Sequence, residues 1–137
     1  MLKAVEISSP TDVKNEMLRE RVLRGRTPRT REFIVLRDDM EVALFIYEDW
    51  DQPEGFIYEL FVLRELRHGG IGTWTLAYAE GIAAGLGRTS VRLTARSLFQ
   101  DELSDEDLTS WYEGKGYVRS AAEKGMLEKR LSSTQTG

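Results

Sequence analysis

Glu59-Leu60-Phe61-Val62-Leu63-Arg64-Glu65-Leu66-Arg67-His68-Gly69-Gly70-Ile71-Gly72-Thr73 is the stretch on which the reading of this 137-residue chain turns. An apolar run with strand character leads into a glycine-rich turn. Ile71, Trp74, Ala77, Tyr78 and Ile82 then recur at helical spacing, so an amphipathic helix begins inside the turn. Glycines let the backbone approach a ligand closely, and the first N–H groups of a helix lack internal partners. A helix start of this kind binds phosphate through those amides and the positive end of the helix dipole. Two nucleotide patterns fail here. No Lys-Ser or Lys-Thr pair follows the second glycine, and Gly70-Ile71-Gly72 runs on into Thr73-Trp74-Thr75 rather than to a further glycine. A tight strand-to-helix turn without a ligand is the plain alternative.

Working outward, residues 2–7 alternate as a first strand. Ser9-Pro10-Thr11-Asp12 offers helix-start chemistry, and Val13, Met17, Leu18 and Val22 place one amphipathic helix up to about Arg24, stopped by Gly25. Residues 32–37 and 41–47 form an antiparallel hairpin across Asp38-Asp39. Residues 56–63 are the most apolar of the strand runs and are expected at the centre of the sheet. The helix of residues 71–86 carries Gly81 and Gly85, which suggests close approach to the sheet there, and Gly87 caps it. Residues 90–97 alternate as another strand. An acidic loop follows, and Ser104-Asp105-Glu106-Asp107 resembles a capping box opening a helix through Trp111 and Tyr112 to Gly114. Residues 117–121 and 126–130 form a last hairpin across Lys124-Gly125, and residues 132–137 are a polar tail expected to be disordered. The expected class is α/β, a single domain over residues 1–131, with a mixed and mostly antiparallel central sheet flanked by helices.

Composition excludes several chemistries. The chain has no cysteine, which removes disulfides, thiolate metal sites and a cysteine nucleophile. His68 is the single histidine, so a multi-histidine metal centre is excluded, as is any Ser-His-Asp triad that does not use His68. No apolar run is long enough for a membrane span, and the first residues do not read as a signal peptide, so a cytoplasmic location is expected. The formal net charge of −4 argues against a nucleic-acid partner. Arg19, Arg21, Arg24, Arg26, Arg29 and Arg31 nevertheless crowd one stretch, either as a solvated face or as a site for an acidic or nucleic-acid substrate. Asp101, Glu102, Asp105, Glu106 and Asp107 crowd another, either as a solubilising loop or as one lip of a pocket for a cationic amine.

Arg67-His68-Gly69-Gly70-Ile71-Gly72 resembles the acetyl-coenzyme A signature of the GNAT family of N-acetyltransferases, Gln/Arg-x-x-Gly-x-Gly/Ala. Its setting adds to the likeness, with an apolar strand before it and a helix and strand after it. Trp111-Tyr112-Glu113-Gly114-Lys115-Gly116-Tyr117 is similar to the family's aromatic-Tyr-x-x-x-Gly-aromatic segment. The resemblance spans residues 56–131. The N-terminal elements agree with it as well, with one helix before the hairpin where the family usually has two.

The resemblance implies a role for each matched position. Arg67 opens the loop, and the amides of His68, Gly69, Gly70, Ile71, Gly72 and Thr73 hold the pyrophosphate of acetyl-coenzyme A. Leu60, Phe61 and Val62 pair their backbone with the pantetheine arm. Tyr112 stands near the thioester sulfur as general acid, and an amine attacks the thioester directly in a ternary complex, with no acyl-enzyme and no metal. Glu59, just before the pantetheine-pairing residues, is the candidate base. Asp105 stands where many relatives carry asparagine, and Thr94 where some carry a glutamate base. The acceptor is open between a small amine, a polyamine or aminoglycoside, an amino-acid derivative and a protein amino group. A homodimer is also left open, and the competing reading is a non-catalytic acetyl-coenzyme A-binding or interaction module on the same fold.

Overall fold

The computed structural model describes residues 1–67, 69–95 and 103–131. Expectations for His68, for residues 96–102 and for the 132–137 tail fall outside the described residues. In chain order the elements are β1 (Leu2–Ile7), α1 (Glu16–Gly25), β2 (Thr30–Arg37), β3 (Met40–Glu48), β4 (Glu54–Val62), α2 (Ile71–Gly85), β5 (Ser90–Thr94), α3 (Asp105–Gly114), β6 (Val118–Arg119) and β7 (Met126–Arg130). Short 3-10 turns at Pro10–Asp12 and Arg64–Leu66 complete the path. The seven strands form one sheet in the order β1-β2-β3-β4-β5-β7-β6. Every pairing is antiparallel except that of β4 with β5.

Helices cover the sheet on both faces. On one face Val13 and the α1 residues Leu18 and Val22 pack on Ile34, Leu44, Ile46 and Phe61. On the other, Leu76, Ala79 and Ala83 of α2 pack on Phe33, Phe45, Tyr47, Ile57, Val91 and Leu93, with Tyr112 of α3 joining them. β3 lies between both layers, and all six residues from Val42 to Tyr47 are buried. β4 is central as expected, yet β3 is the deeper strand, because β4 gives up burial where it borders a cleft.

Several local expectations change. The Ser9–Asp12 capping box forms, but it closes only the 3-10 turn, because Val13 is extended. The N-cap of α1 is Asn15, whose side chain accepts from the Leu18 N–H at 3.0 Å. Gly25 is the last residue of α1, and a Cβ there would lie 2.6 Å from Ile46 Cδ1, so close packing rather than turn geometry demands the glycine. In α2 the buried stripe is Ile71, Thr75, Leu76, Ala79 and Ala83, whereas Ala77 is exposed. Gly81 and Gly85 face open space instead of the sheet. Gly87, at φ 82°, does end the helix: its N–H donates to Ala84 and that of Arg88 to Ala83, the Schellman arrangement. Only half of the second capping box is present, with Ser104 Oγ accepting from the Asp107 N–H at 3.0 Å.

The arginine stretch is largely committed to contacts within the chain. Arg21 pairs with Glu59, Arg24 with Glu20, Arg26 with Glu32 and Arg31 with Glu6, while Arg29 lies over the Trp50 ring. Arg19 donates to the Val13 carbonyl. These pairs make the stretch a brace around α1 rather than an open basic patch. No helix among the described residues is long and apolar enough to cross a membrane.

Candidate functional site

β4 and β5 run side by side only from Glu54↔Ser90 to Ile57↔Leu93. Beyond Ile57, β4 keeps β3 on one edge, and no strand among the described residues takes the other. Where the strands part, the pairing of β3 with β4 slips from Tyr47↔Ile57 to Ile46↔Glu59, leaving Tyr58 as the extra residue of a β-bulge. The bulge turns both Tyr58 and Glu59 toward α1: the Tyr58 ring sits against Gly25, and Glu59 meets Arg21.

Above the bulge the backbone alternates regularly. The Leu63 N–H donates to the Val42 carbonyl at 3.0 Å, so by the two-residue period Phe61 also turns its backbone to β3. Leu60 and Val62 turn theirs to the open edge. The Val62 carbonyl there accepts from Arg67 Nε at 3.2 Å, while the Leu60 N–H and C=O and the Val62 N–H face the cleft. Of the three residues expected to pair with a ligand, the structure thus brings two backbones to the open edge and gives Phe61 a buried side chain, 4% exposed, beneath it.

The open edge leads to the start of α2. Gly70, at φ 85°, occupies the left-handed region and is the N-cap, with no side chain capping the helix. No described carbonyl or side chain accepts from the N–H groups of Gly70, Ile71, Gly72 or Thr73; the first internal bond is from Trp74 to Gly70 at 3.0 Å. A Cβ on Gly70 would meet nothing within 4 Å. Gly72 lies beneath the Trp111 ring, 3.7 Å from Cζ2 to the place a Cβ would take. Ile71 plugs its side chain into the core, and Arg67, Gly70, Gly72 and Thr73 line the cleft. Four unpartnered amides beside an open strand edge suit an anionic group carried on an extended chain.

The cleft encloses about 730 Å³. Its apolar walls include Leu60, Leu93, Leu108, Trp111 and Met126, and its charged side chains among the described residues are Arg21, Glu48, Glu59 and Arg67. Tyr112 reaches it from α3 and is 6% exposed, held edge-on by Trp111 at 5.0 Å and by Tyr117 at 5.6 Å. Burial pushes the Tyr112 hydroxyl above the ordinary phenol range, so it is protonated at neutral pH. Among the described residues that hydroxyl has no hydrogen-bond partner. Tyr117 is braced from behind, donating to Glu80 Oε2 at 2.8 Å, and Lys129 meets Glu80 Oε1 at 3.1 Å.

Glu59 is engaged from α1. Arg21 Nε donates to Oε2 at 2.7 Å and Nη2 to Oε1 at 2.9 Å, with the two side chains 22% and 10% exposed. The bond to Glu59 raises the Arg21 pKa further. Sequence reasoning missed Arg21 as part of this site. The available signal was its place beside Val22 and three residues after Leu18, on the flank of the buried stripe. Thr94, also at the cleft, has no carboxylate to offer, and Asp105 lies in the first turn of α3. Among the described residues no group of three or more His, Cys, Asp or Glu side chains could hold a metal ion.

Comparisons agree with this geometry. The crystal structure of the PaiA N-acetyltransferase from Thermoplasma acidophilum in complex with coenzyme A matches with a TM-score of 0.67 at 14% identity, over 96% of this chain and 99% of that one. A Bacillus subtilis acetyltransferase in complex with coenzyme A matches at 0.71 and 15% identity, over 96% and 100%. A GNAT family acetyltransferase from Elizabethkingia anophelis with acetyl-coenzyme A bound matches at 0.66 and 13%, over 95% and 98%. At these identities the likeness is one of fold. No curated protein matches the sequence. A model of the acetyltransferase (GNAT) family matches residues 6–103, which include the parted strands and the glycine turn, and the chain therefore belongs to the GNAT family of acetyltransferases.

Proposed function

We propose that this chain transfers an acetyl group from acetyl-coenzyme A to an amine. The observation that carries the reading is the continuous path from the four unpartnered amides at the start of α2, along the free edge of β4, to the Tyr112 hydroxyl. The residues fit the coenzyme. Gly69 and Gly70 open the turn, the amides from Gly70 to Thr73 meet its phosphates, and Leu60 and Val62 offer backbone partners to an extended arm. Arg67, at the mouth of the turn, and Phe61, whose ring underlies the edge, complete the described part of the binding segment, to which the sequence adds His68.

When bound, the coenzyme supplies an activated acyl group as a thioester. The chain's own groups do the rest. Trp111 and Leu60 exclude water from the reacting end of the cleft. Glu59 receives the amine's proton, directly or through water, on the lone pair each oxygen keeps beside its bond to Arg21. Tyr112, protonated and unpartnered, gives a proton to the departing sulfur, so the amine attacks in a ternary complex without an acyl-enzyme. The test pairs acetyl-coenzyme A titration by calorimetry with thiol release across a panel of amines. Binding with amine-dependent thiol release is the expected result. Binding without transfer to any amine would favour a coenzyme-binding module, and no binding would remove both readings.

A further inference from the structure

Strand registers set four residues in one row across the sheet: Glu48, Phe56, Arg92 and Glu128. Tyr47, Ile57, Val91, Leu93 and Leu127 point into the core on the α2 side. By the period of two, all four residues of the row project from the opposite face, the one that carries Tyr58 and Glu59. Glu48, Phe56, Tyr58, Glu59 and Arg21 all line the cleft there, so this face makes one of its walls.

Among the described residues of this face, the paired and unpaired charges are distinct. Arg21 is taken by Glu59 at 2.7 Å, and Arg92 is taken by Glu128 at 3.5 Å. Glu48 is half-buried and, among the described residues, has neither an ion pair nor a hydrogen bond. Of the charged residues described in the cleft wall, Arg21 and Glu59 hold each other and Arg67 donates to the Val62 carbonyl, which leaves the Glu48 carboxylate without an ion pair. An acceptor bearing a carboxylate would find Arg21 already paired with Glu59, whereas a cation would find a partner at Glu48. Phe56, beside Glu48 in the row, offers apolar surface to a carbon chain running from there toward Tyr58.

The spacing is set by the strand. Phe56 lies level with Glu48, and Leu60, where the acyl group would be presented, is three strand rises farther along once the bulged Tyr58 is discounted, about 10 Å. Resting on the transfer reading above, we infer that the acceptor is an aliphatic polyamine-type cation, with a second ammonium group held by Glu48 roughly 10 Å from the nitrogen that reacts.

The test compares α,ω-diaminoalkanes of graded length with n-alkylamines of matched length, at saturating acetyl-coenzyme A. The wild-type chain should favour the diamines by about fivefold in kcat/KM, the worth of one partly exposed ion pair, with the difference carried by KM. Preference should peak at an intermediate length and shrink as salt rises. Glu48→Gln should bring the diamine-to-monoamine ratio close to unity, and Glu48→Asp should restore part of it. Equal use of both series by the wild type would overturn the inference, as would an unchanged ratio in Glu48→Gln. If no amine is acetylated although acetyl-coenzyme A binds, the transfer reading itself fails and this inference falls with it. That outcome is distinct from transfer without preference.

Discussion

Arg21 of α1 and Glu59 of β4 meet in a two-point contact, Nε to Oε2 at 2.7 Å and Nη2 to Oε1 at 2.9 Å. The fork fixes the plane of the carboxylate and anchors the bulged part of β4 to the helix beside it. Each oxygen accepts one bond and retains one lone pair, so the group is oriented without being used up.

Glu59→Gln is therefore expected to act on two readouts. Turnover should fall roughly tenfold to a hundredfold, most of all at low pH, where the smallest share of the amine is unprotonated. Affinity for acetyl-coenzyme A should barely change. Loss of a charge-assisted bond between side chains only 22% and 10% exposed should also lower stability by about 1–2 kcal/mol in urea unfolding. A pH–rate profile that superposes on wild type would place the base elsewhere.

Gly72 gives the cleanest test of the phosphate turn. Its φ is ordinary, and an added Cβ would meet Trp111 and Val62 at 3.7 and 3.8 Å, which is normal contact. Gly72→Ala should fold as well as the parent, since alanine is the better helix former. Its affinity for acetyl-coenzyme A should drop about tenfold, and Gly72→Val should do worse, because on the proposed reading the side chain would stand where phosphate approaches the free amides. Gly70→Ala is less informative, because φ 85° strains any L side chain. Calorimetry showing unchanged affinity in both Gly72 variants would remove the turn from the binding site.

Tyr112→Phe removes one hydroxyl and keeps the edge-on packing against Trp111 and Tyr117. General acid catalysis is typically worth about 10²–10⁴-fold, and water can stand in for part of it here. Turnover should fall at least about tenfold, with normal folding and near-normal coenzyme affinity. Lower stability with unchanged turnover per folded molecule would make the residue a packing element alone.

Alkaline pH should expose a cost of burying two phenols. Burial raises Tyr112, and burial together with the Glu80 carboxylate raises Tyr117, above the ordinary value of 10.0. Folded, both remain protonated where the unfolded chain has begun to ionise. Their contribution is thus complete below pH 10.0 and is lost progressively as pH rises beyond it, by up to about 1.4 kcal/mol per pH unit for each group. Urea midpoints measured on either side of that pH should show the decline, and Tyr117→Phe should flatten its slope. A slope unchanged by the substitution would assign the decline to other groups.

The parts of the fold legible in the sequence are those governed by neighbours along the chain. The apolar run into Gly69-Gly70-Ile71-Gly72 fixed the start of α2, and the left-handed φ at Gly70 and Gly87 follows from local backbone geometry. What depends on pairing across the sheet was hidden. The bulge at Tyr58 exists only through the register with β3, and nothing in Ile57-Tyr58-Glu59 marks it. Arg21 as partner of Glu59 likewise joins residues 38 positions apart. The start of α1 was misjudged because Ser9 and Asn15 have the same capping chemistry, and only the extended backbone at Val13 decides between them. Gly25, Gly81 and Gly85 look alike in sequence, yet the first is walled in by Ile46 and Tyr58 while the other two face open space.

The parting of β4 from β5 after Ile57 has a consequence for the protein's lifetime as well as its chemistry. It leaves β4, in the middle of the sheet, with an edge that no strand among the described residues pairs, whereas such edges normally lie at the rim and are blunted by charge, proline or brevity. Leu93 and Met126 line the cleft beside that edge, and an extended ligand lying there would act as a surrogate strand. Whatever fills that breach therefore also completes the sheet, and the empty and filled forms should differ in resistance to proteolysis and self-association by the free energy of that one added strand.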